Sequence, residues 1–326
     1  MNVEDLLTRL ADGEFHSGEA LAQLLQVSRT AVWKHVGGLA DLGIEVERTR
    51  GRGYRIPGGL DLLDEARITA ALQPHTRTLL ADLQVHSQVD STNALLLRHA
   101  EPLAGGARVA LAEMQSSGRG RRGKAWVSPF ARNIYLSLDW RFDGGVSDME
   151  GLSLAIGVAV VEALASCGAE GLRLKWPNDL LHEGRKLGGV LVELGGDAAG
   201  PSRAVVGIGI NVAMPESTAE SVDQPWTDLA TVMGRAPARN EVAAALVDHC
   251  LHLLAAYPER GFAAVRERWM ALDSFADAPV FVWNGASHTA GTARGVDERG
   301  SLLLETAAGL QHISGGEVSL RPADQG

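Results

Sequence analysis

The segment SSGRGRRGKAW at residues 116–126 combines glycines and cations in a pattern that could bind an anion. Its cations are Arg119, Arg121, Arg122 and Lys124, and its glycines Gly118, Gly120 and Gly123 match the spacing G-x-G-x-x-G. In a dinucleotide-binding turn, that spacing lies between a strand and a long helix. Here the segment leads into NIYLSLDW (133–140), whose alternation predicts another strand. The sequence therefore excludes a Rossmann turn, and the lack of kinase catalytic-loop and D-F-G motifs excludes a kinase loop.

A loop between two strands with this composition is suited to closing over an anionic ligand. The segment ARVALAEMQ (107–115) predicts the preceding strand. Glycine lets the backbone approach a ligand closely, but it makes the empty loop entropically costly to order. Clustered cations repel one another until an anion supplies charge-assisted hydrogen bonds. We therefore expect a loop that is mobile when empty and closes over a phosphate or acyl-phosphate, rather than a solvated basic loop.

Length, composition and cysteine usage limit the class of protein. A chain of 326 residues is long enough for two or three domains. The first residues, MNVEDLLTRL, lack the features of a secretory signal, and the most apolar segment, 152–165, is too short to span a bilayer. Cys167 and Cys250 have neither metal-ligand nor C-x-x-C spacing. We therefore expect a cytoplasmic protein that does not contact a membrane.

A basic module at the amino terminus precedes an acidic body. Residues 28–55 carry six bases and three acids, whereas the whole chain has a net charge of −10. Ser17 and Ser28 are the predicted N-caps of two short helices joined by a tight turn, and IEVERTRGRGYRI (44–56) predicts a hairpin with a basic tip. This order predicts a winged helix-turn-helix. The alternative, a helical interaction domain with a solvated basic loop, is less favoured than DNA binding.

The predicted DNA contacts lie on the second helix of this module and on its wing. They are Ser28, Arg29, Thr30, Trp33 and Lys34 on the helix, and Arg48, Arg50 and Arg52 on the wing. Such domains usually bind two half-sites as dimers, so operator DNA and a second copy of the chain are expected partners. The segment PGGLDLLD (57–64) predicts a linker to a following helix near 64–72.

The carboxyl-terminal part predicts two helices and then a small β-domain. The segments 241–257 and 262–273 have the pattern of amphipathic helices. From residue 279 onward, five short strands are predicted, with turns at Asn284-Gly285, at 298–300 and at Gly309. Closely spaced hairpins of this kind favour a small SH3-like barrel.

Several blocks of the sequence are together typical of one family. They are DSTNALL (90–96), EMQSSGRGRRGKAWVSPFARNIYLSL (113–138), LKWPNDLLHEGRKLGGVLVEL (174–194), VGIGINV (206–212) and GVDERGSLLLE (295–305). With the helix-turn-helix and wing, the chain resembles the bifunctional biotin–protein ligases that also repress the biotin operon. The resemblance implies an α+β protein: a winged helix-turn-helix over 1–60, a mixed α/β ligase domain of class II synthetase type over 64–273, and an SH3-like barrel over 274–326.

The family condenses biotin with ATP to biotinyl-5′-AMP and pyrophosphate, and then transfers biotin to a lysine of the biotin carboxyl carrier protein of acetyl-CoA carboxylase. The biotin carboxylate and the α-phosphate are both anionic, so their reaction requires cations. The resemblance implies catalytic roles for Lys186, Arg119, Arg121 and Asp179. The implied biotin-binding residues are Ser91, Thr92, Asn93, Gln115, Arg119, Gly120, Arg121 and Lys186. Ser91–Asn93 could also cap the helix that follows.

The resemblance also implies sites for the nucleotide and for Mg²⁺. The nucleotide-binding residues are Gly118, Arg122, Trp126, Asn178, Asn211 and Trp226, the last as a stacking partner for adenine. Asn178 and Asp179 offer hard oxygen ligands to Mg²⁺ bound to ATP, although Asp179 could instead help to deprotonate the acceptor lysine. Lys124 replaces an arginine of many relatives, which removes bidentate binding there. Trp33 replaces a more polar residue, so the operator sequence is not transferable.

Three alternatives remain open at this point. A lipoate or octanoate ligase would use the same chemistry with a different head group. A ligand-sensing transcription factor would bind the ligand without turnover, and a ligase could carry a winged helix that has no operator. In the favoured hypothesis, biotin is both substrate and precursor of the corepressor, because the adenylate orders loops and promotes a homodimer that binds DNA.

Overall fold

The computed structural model describes residues 3–99, 105–196, 201–285, 287–315 and 318–322. The ends of the two terminal predicted domains, residues 1–2 and 323–326, lie outside the described residues. The first part of the chain contains α1 (Val3–Leu10), α2 (Gly18–Leu24), α3 (Arg29–Gly38), β1 (Glu47–Thr49) and β2 (Gly53–Arg55). The two strands form an antiparallel hairpin. Helices followed by a hairpin confirm the winged helix-turn-helix.

Local hydrogen bonds explain where the two helices of this motif begin. Ser17 Oγ accepts from the backbone N–H of Ala20 at 3.0 Å, and Ser28 Oγ accepts from that of Ala31 at 3.1 Å. Each serine thus satisfies an N–H that the helix leaves unpaired, as the sequence predicted. Ser28 is therefore a helix cap as well as a candidate DNA contact.

A mixed seven-stranded sheet forms the centre of the molecule. Its strands are β3 (Leu80–Val89), β4 (Ala107–Gln115), β5 (Ile134–Phe142), β6 (Leu172–Lys175), β7 (Asp179–His182), β8 (Arg185–Gly196) and β9 (Ser202–Ile210). The strand order is β3-β4-β5-β9-β8-β7-β6, with β3 parallel to β4 and the other pairs antiparallel. The strand–loop–strand predicted around the glycine–arginine segment is therefore confirmed as β4 and β5.

Helices flank this sheet and bury its apolar side chains. They are α4 (Glu65–Ala71), α5 (Pro74–Leu79), α6 (Thr92–Leu97), α7 (Leu152–Ser166), α8 (Leu229–Met233), α9 (Arg239–Arg260) and α10 (Ala263–Leu272). With the turn before it, α7 forms a helical stretch, Val146–Ser166, that is long and apolar enough to cross a membrane. The helix α7 by itself has 15 residues, so the expectation that the segment 152–165 is short is confirmed, and only the added turn lengthens the stretch. Most of the stretch is buried inside the protein, which marks it as a core helix.

The last part of the chain forms an antiparallel five-stranded sheet. Its strands are β10 (Pro279–Asn284), β11 (Ser287–Val296), β12 (Leu302–Thr306), β13 (Gly309–Ile313) and β14 (Val318–Pro322), in the order β13-β12-β11-β10-β14. Gly285, Gly300 and Gly309 have positive φ at the predicted turns. The apolar side chains of this sheet belong to the same core as the central sheet. The predicted α+β class is confirmed.

A buried ion pair fixes the linker between the winged helix and the central sheet. Glu113 Oε2 on β4 lies 2.8 Å from Arg239 Nη1 at the start of α9, and their side chains are 5 % and 4 % exposed. Glu113 Oε1 also accepts from the backbone N–H of Leu63 at 2.6 Å. Arg239 donates to the carbonyls of Asn133 and Asp61, each at 2.7 Å. The end of the linker is therefore bonded to the sheet.

The winged helix also packs directly on the segment that joins β4 to β5. Phe130 and Ala131 are buried in the same apolar cluster as Leu6, Leu21 and Val32 of the winged helix. Met114 of β4 packs against this cluster. The core of the DNA-binding fold thus extends onto the central domain.

Replacing Arg239 by Met should lower the free energy of unfolding by about 3–5 kcal/mol, because Glu113 is then buried without its partner. Urea unfolding followed by circular dichroism measures this. Arg268→Met is the control, because it removes a surface pair with Glu162 at 2.7 Å whose side chains are 52 % and 39 % exposed. That change should cost about 0–1 kcal/mol. Similar losses in both variants would contradict the assigned role of the buried pair.

Candidate active site

A cavity of about 500 Å³ lies over the central sheet, between the glycine–arginine loop, the β6–β7 turn and the carboxyl-terminal sheet. Most of the residues that the sequence analysis selected as catalytic or ligand-binding candidates line this cavity. They are Ser91, Thr92, Asn93, Gln115, Arg119, Gly120, Arg121, Arg122, Trp126, Asn178, Asp179, Lys186, Asn211 and Trp226. Gly118 is not among these lining residues. Its carbonyl accepts from the Trp126 N–H at 2.9 Å, which stabilises the conformation of the loop.

The loop cations have partners on three sides of the cavity. Arg119 Nη2 lies 3.1 Å from Glu193 Oε2 on β8, and Lys124 Nζ lies 3.0 Å from Asp223 Oδ2. Arg121 donates to Asn178 Oδ1 at 3.3 Å and to the carbonyl of Gly315, which follows β13 of the carboxyl-terminal sheet. The sequence led us to expect mutual repulsion between these cations, whereas the fold gives them acceptors. An anionic ligand must therefore compete with these groups.

Lys186 and Asp179 form an ion pair facing this loop. Lys186 Nζ lies 2.7 Å from Asp179 Oδ1, with side chains 17 % and 15 % exposed. The ammonium also lies 5.5 Å from the centroid of the Trp126 ring. Lys186 is the second residue of β8, directly after the short turn that joins β7 to β8. Its place in a strand limits the motion of its backbone.

The segment carrying Trp226 is anchored to the same strand. The N–H of Lys186 donates to the carbonyl of Pro225 at 3.0 Å, and the N–H of Thr227 donates to the carbonyl of Lys186 at 2.9 Å. Asn211 Nδ2 donates to the carbonyl of Thr227 at 3.0 Å. Asn211 thus holds the cavity wall in place, in addition to its predicted role near the nucleotide.

Polar side chains at the floor of the cavity satisfy one another. Ser137 Oγ lies 2.7 Å from Thr92 Oγ1 and 2.5 Å from Asn93 Oδ1. Gln115 Oε1 accepts from the N–H of Thr92 at 2.9 Å. Ser91 Oγ accepts from the N–H of Ala94 at 3.4 Å, so Ser91 is also the cap of α6. Buried polar groups arranged in this way favour a ligand whose head group offers both donors and acceptors.

Ser137, which bonds to Thr92 and Asn93 directly beneath the cavity lining, was missed by the sequence analysis. It is fully buried within β5, whose neighbouring residues Leu136 and Leu138 are apolar and buried. A hydroxyl in such an apolar strand requires a partner inside the protein. The sequence therefore indicated that Ser137 needs a buried hydrogen-bond partner, but it did not show that the partners are Thr92 and Asn93 on α6.

Two glycines on β9 make room for this floor. A Cβ on Gly207 would lie 2.4 Å from Asn93 Oδ1, and a Cβ on Gly209 would lie 2.6 Å from the Trp126 ring. Both distances are shorter than van der Waals contact. The G-I-G-I pattern at 207–210 therefore allows α6 and the loop to approach the sheet.

Lys175 and Arg321 are two further cations in the cavity wall that the sequence analysis did not select. Burial lowers the pKa of Lys175, and the nearby cations Lys186, Arg321 and Lys124 lower it further, whereas Asp179 opposes the shift. Lys175 lies in the KWPND block. Arg321 comes from β14, and nothing in its local sequence connects it to the cavity.

The oxygens of Asn178 and Asp179 fit Mg²⁺ that is bound chiefly through phosphates. Within the described ranges, no group of three or more His, Cys, Asp or Glu side chains could hold a metal ion. One carboxylate and one amide oxygen at the cavity edge match the way Mg²⁺ is usually held together with nucleotide phosphates. The residues therefore fit a nucleotide-bound ion and not an all-protein site.

Comparison with known proteins supports one family for all three parts of the chain. Residues 85–211 match the biotin/lipoate A/B protein ligase family, residues 2–55 match an HTH domain, and residues 288–321 match the biotin protein ligase C-terminal domain. The chain is similar to the biotin protein ligase from Aquifex aeolicus in complex with biotin and ATP, with a TM-score of 0.64 and 28 % identity over 75 % of this chain and 100 % of that chain.

Two curated relatives extend over almost the whole chain. The bifunctional ligase/repressor BirA of Salmonella typhimurium is 41 % identical over 319 residues, which cover 98 % of this chain and 97 % of the relative. The corresponding Escherichia coli protein is 40 % identical, with coverage of 98 % and 97 %. The biotin–[acetyl-CoA-carboxylase] ligase of Paracoccus denitrificans is 36 % identical over 71 % of this chain and 98 % of its own length. The chain therefore belongs to the family of bifunctional ligase/repressors built on the biotin–protein ligase fold.

Proposed function

We propose that the protein activates biotin with ATP, transfers it to a lysine of the biotin carboxyl carrier protein of acetyl-CoA carboxylase, and represses biotin-synthesis genes. We assign DNA binding to residues 1–60 and catalysis to residues 64–273. Residues 274–326 would close the cavity on the side where the nucleotide binds. The observation that carries the ligase function is the Lys186–Asp179 pair facing an arginine loop across a polar pocket. Relatives named as ligase/repressors and a similar ligase bound to biotin and ATP support it.

The polar floor supports recognition of the ureido head of biotin. Thr92, Asn93, Ser137 and Gln115 bond to one another, so a ligand that enters must offer donors and acceptors in exchange. The dithiolane ring of lipoate has no N–H donor and only weakly accepting sulfurs, so it would gain no comparable hydrogen bonds from this floor. Ser91 supports the same floor through its cap on α6.

The cations support attack of the biotin carboxylate on ATP. Lys186, Arg119 and Arg121 reduce the repulsion between the carboxylate and the α-phosphate and stabilise the charge that develops. A carboxylate oxygen forms a bond to the α-phosphorus, and the bond to pyrophosphate breaks. Bound Mg²⁺, held by Asn178 and Asp179 together with the phosphates, would neutralise charge on the leaving group. Gly118 and Gly120 let the loop close over the adenylate and exclude water.

The carboxylate of Asp179 supports the transfer step. The amine of the carrier lysine attacks the biotinyl carbonyl carbon, AMP leaves, and the amine loses a proton. Asp179 loses its partner when Lys186 turns to the substrate, which leaves a carboxylate near the reacting atoms. We assign it the task of accepting or orienting that proton. Trp126 and Trp226 line the walls against which the adenosine would pack, next to Arg122 and Asn211.

The exposed face of α3 supports DNA binding. Arg29, Thr30, Trp33 and Lys34 are all exposed, with Trp33 at 57 %. On the wing, the guanidinium of Arg52 lies 4.0 Å from the centroid of the Phe15 ring. Arg50 is exposed at the tip, and Arg48 lies over the Tyr54 ring at 5.8 Å. We propose that the adenylate-bound form dimerises on two operator half-sites in the cytoplasm, where ATP and the chromosome are present.

Incubation with ATP, Mg²⁺ and either biotin or lipoate tests the substrate. Pyrophosphate should be released with biotin and not with lipoate or octanoate, and addition of the carrier domain should yield a biotinylated lysine. Pyrophosphate release with lipoate alone would establish a lipoate-type ligase. Binding of biotin without any pyrophosphate would establish a ligand sensor.

Lys186→Met should reduce adenylate formation by about 100-fold or more, because it removes a cation that faces the developing charge. Biotin-dependent exchange of labelled pyrophosphate into ATP measures the rate. Lys34→Met is the matched control, since that lysine is exposed on α3, and it should leave the exchange rate within about twofold of the wild type. Unchanged exchange in Lys186→Met would refute the assignment.

The double variant Arg50→Ala/Arg52→Ala should bind DNA more weakly without loss of ligase activity. Electrophoretic mobility shifts use DNA from upstream of the protein's own biotin genes, with and without biotin and ATP, over a series of salt concentrations. Wild-type binding should tighten with both ligands, and the variant should lose about 0.9 in salt slope for each phosphate contact removed. Equal affinity for unrelated DNA under all conditions would exclude an operator function.

A further inference from the structure

A continuous series of hydrogen bonds beneath the cavity joins the two ends of the glycine–arginine loop. It begins at Arg119, whose Nη2 lies 3.1 Å from Glu193 Oε2. The same carboxylate oxygen accepts from Asn93 Nδ2 at 2.8 Å. Asn93 Oδ1 then accepts from Ser137 Oγ at 2.5 Å. The first half of the series therefore runs from the loop, through the sheet, to the polar floor.

The second half returns from the floor to the other end of the loop. Thr92 Oγ1 donates to Gln115 Oε1 at 3.2 Å. Gln115 Nε2 donates to Ser128 Oγ at 3.3 Å, and Ser128 Oγ donates to the carbonyl of Trp126 at 2.9 Å. Ser137 connects the halves through Thr92 Oγ1 at 2.7 Å. Residues 119 and 126 of the loop are thus linked through the groups that would bind the ligand head.

The hydroxyl groups of this series let a ligand exchange hydrogen bonds with it. Ser137 has one hydroxyl hydrogen, and both Thr92 Oγ1 and Asn93 Oδ1 lie within its reach. Gln115 Oε1 has two donors from Thr92, the backbone N–H and the hydroxyl. A ureido N–H can therefore donate to Asn93 Oδ1 while the hydroxyls of Ser137 and Thr92 redirect their hydrogens. That exchange needs Asn93 to keep its amide oxygen, and not its nitrogen, on the side of Ser137.

Glu193 fixes the orientation of the Asn93 amide. Asn93 Nδ2 donates to Glu193 and also to the carbonyl of Leu191 at 3.3 Å, which leaves Oδ1 facing Ser137. A carboxylate only accepts, so the reversed amide would place two acceptors against each other. Glu193 is partly buried on β8, in the strand that carries Lys186.

We propose that Glu193 is a positioning residue with two tasks, which rest on the proposed ligase function. It holds the Asn93 amide in the orientation that receives the ureido group, and it holds Arg119 against the sheet while the site is empty. The adenylate phosphate then competes with Glu193 for the Arg119 guanidinium, and Asn93 remains bound to the carboxylate. Glu193 thereby connects occupancy of the head pocket with the position of the loop.

Two substitutions separate these tasks. In Glu193→Gln, the amide oxygen can still accept from Asn93, but the charge that holds Arg119 is lost. Hydrogen exchange of residues 116–128 in the ligand-free protein should become about 3–10-fold faster, whereas the KM for biotin should change less than about threefold. Glu193→Ala removes both contacts, and the KM for biotin should rise about tenfold with a smaller change in kcat. With biotin and ATP bound, the loop exchange of Glu193→Gln should match the wild type.

Glu162→Gln is the matched control, because it makes the same chemical change at a surface ion pair with Arg268. It should leave both loop exchange and KM unchanged. The proposal is overturned if Glu193→Gln leaves loop exchange at the wild-type level, or if Glu193→Ala retains the wild-type KM. The exchange measurement needs no ligand, so it can succeed or fail independently of whether biotin is the substrate.

Discussion

The buried pair between Glu113 and Arg239 is the constraint on which the rest of the arrangement depends. Two charges that are almost fully removed from water are tolerable only when they are paired and supported by hydrogen bonds, which the linker backbone gives to Glu113 and the Asn133 carbonyl gives to Arg239. The next two residues of β4 are Met114, which packs against the winged helix, and Gln115, which belongs to the cavity floor. Glu113, Met114 and Gln115 thus contact the linker, the winged helix and the cavity floor, respectively. Because they are consecutive on one strand, they fix the positions of these three parts relative to one another.

Opposite charges within the protein explain how a basic cavity exists in an acidic chain. Arg119, Lys124 and Lys186 each lie against a carboxylate, from Glu193, Asp223 and Asp179. These pairs hold the cations in place without a ligand. The phosphates of a nucleotide must replace these carboxylates as partners of the cations. Nucleotide binding therefore depends on geometry as well as on charge.

The sequence predicted the elements better than it predicted the contacts between them. Serine caps and strand alternation located α2, α3, β4 and β5 because these signals are local. The partners of the floor were not predictable, since Asn93 and Glu193 are 100 residues apart in the chain and meet only in the folded sheet. Arg321 reaches the cavity from the carboxyl-terminal sheet, far along the chain from the other cations, so its position was not predictable either.

Gly207 and Gly209 have a consequence for redesign of the enzyme. The depth of the pocket beside these two residues results from side chains that are missing, so neither position can be made smaller. Space for bulkier analogues of the substrate, such as those carrying click-chemistry handles, must come from other lining residues, such as Trp126 or Trp226. Mutant libraries for new labelling reagents should therefore leave Gly207 and Gly209 unchanged.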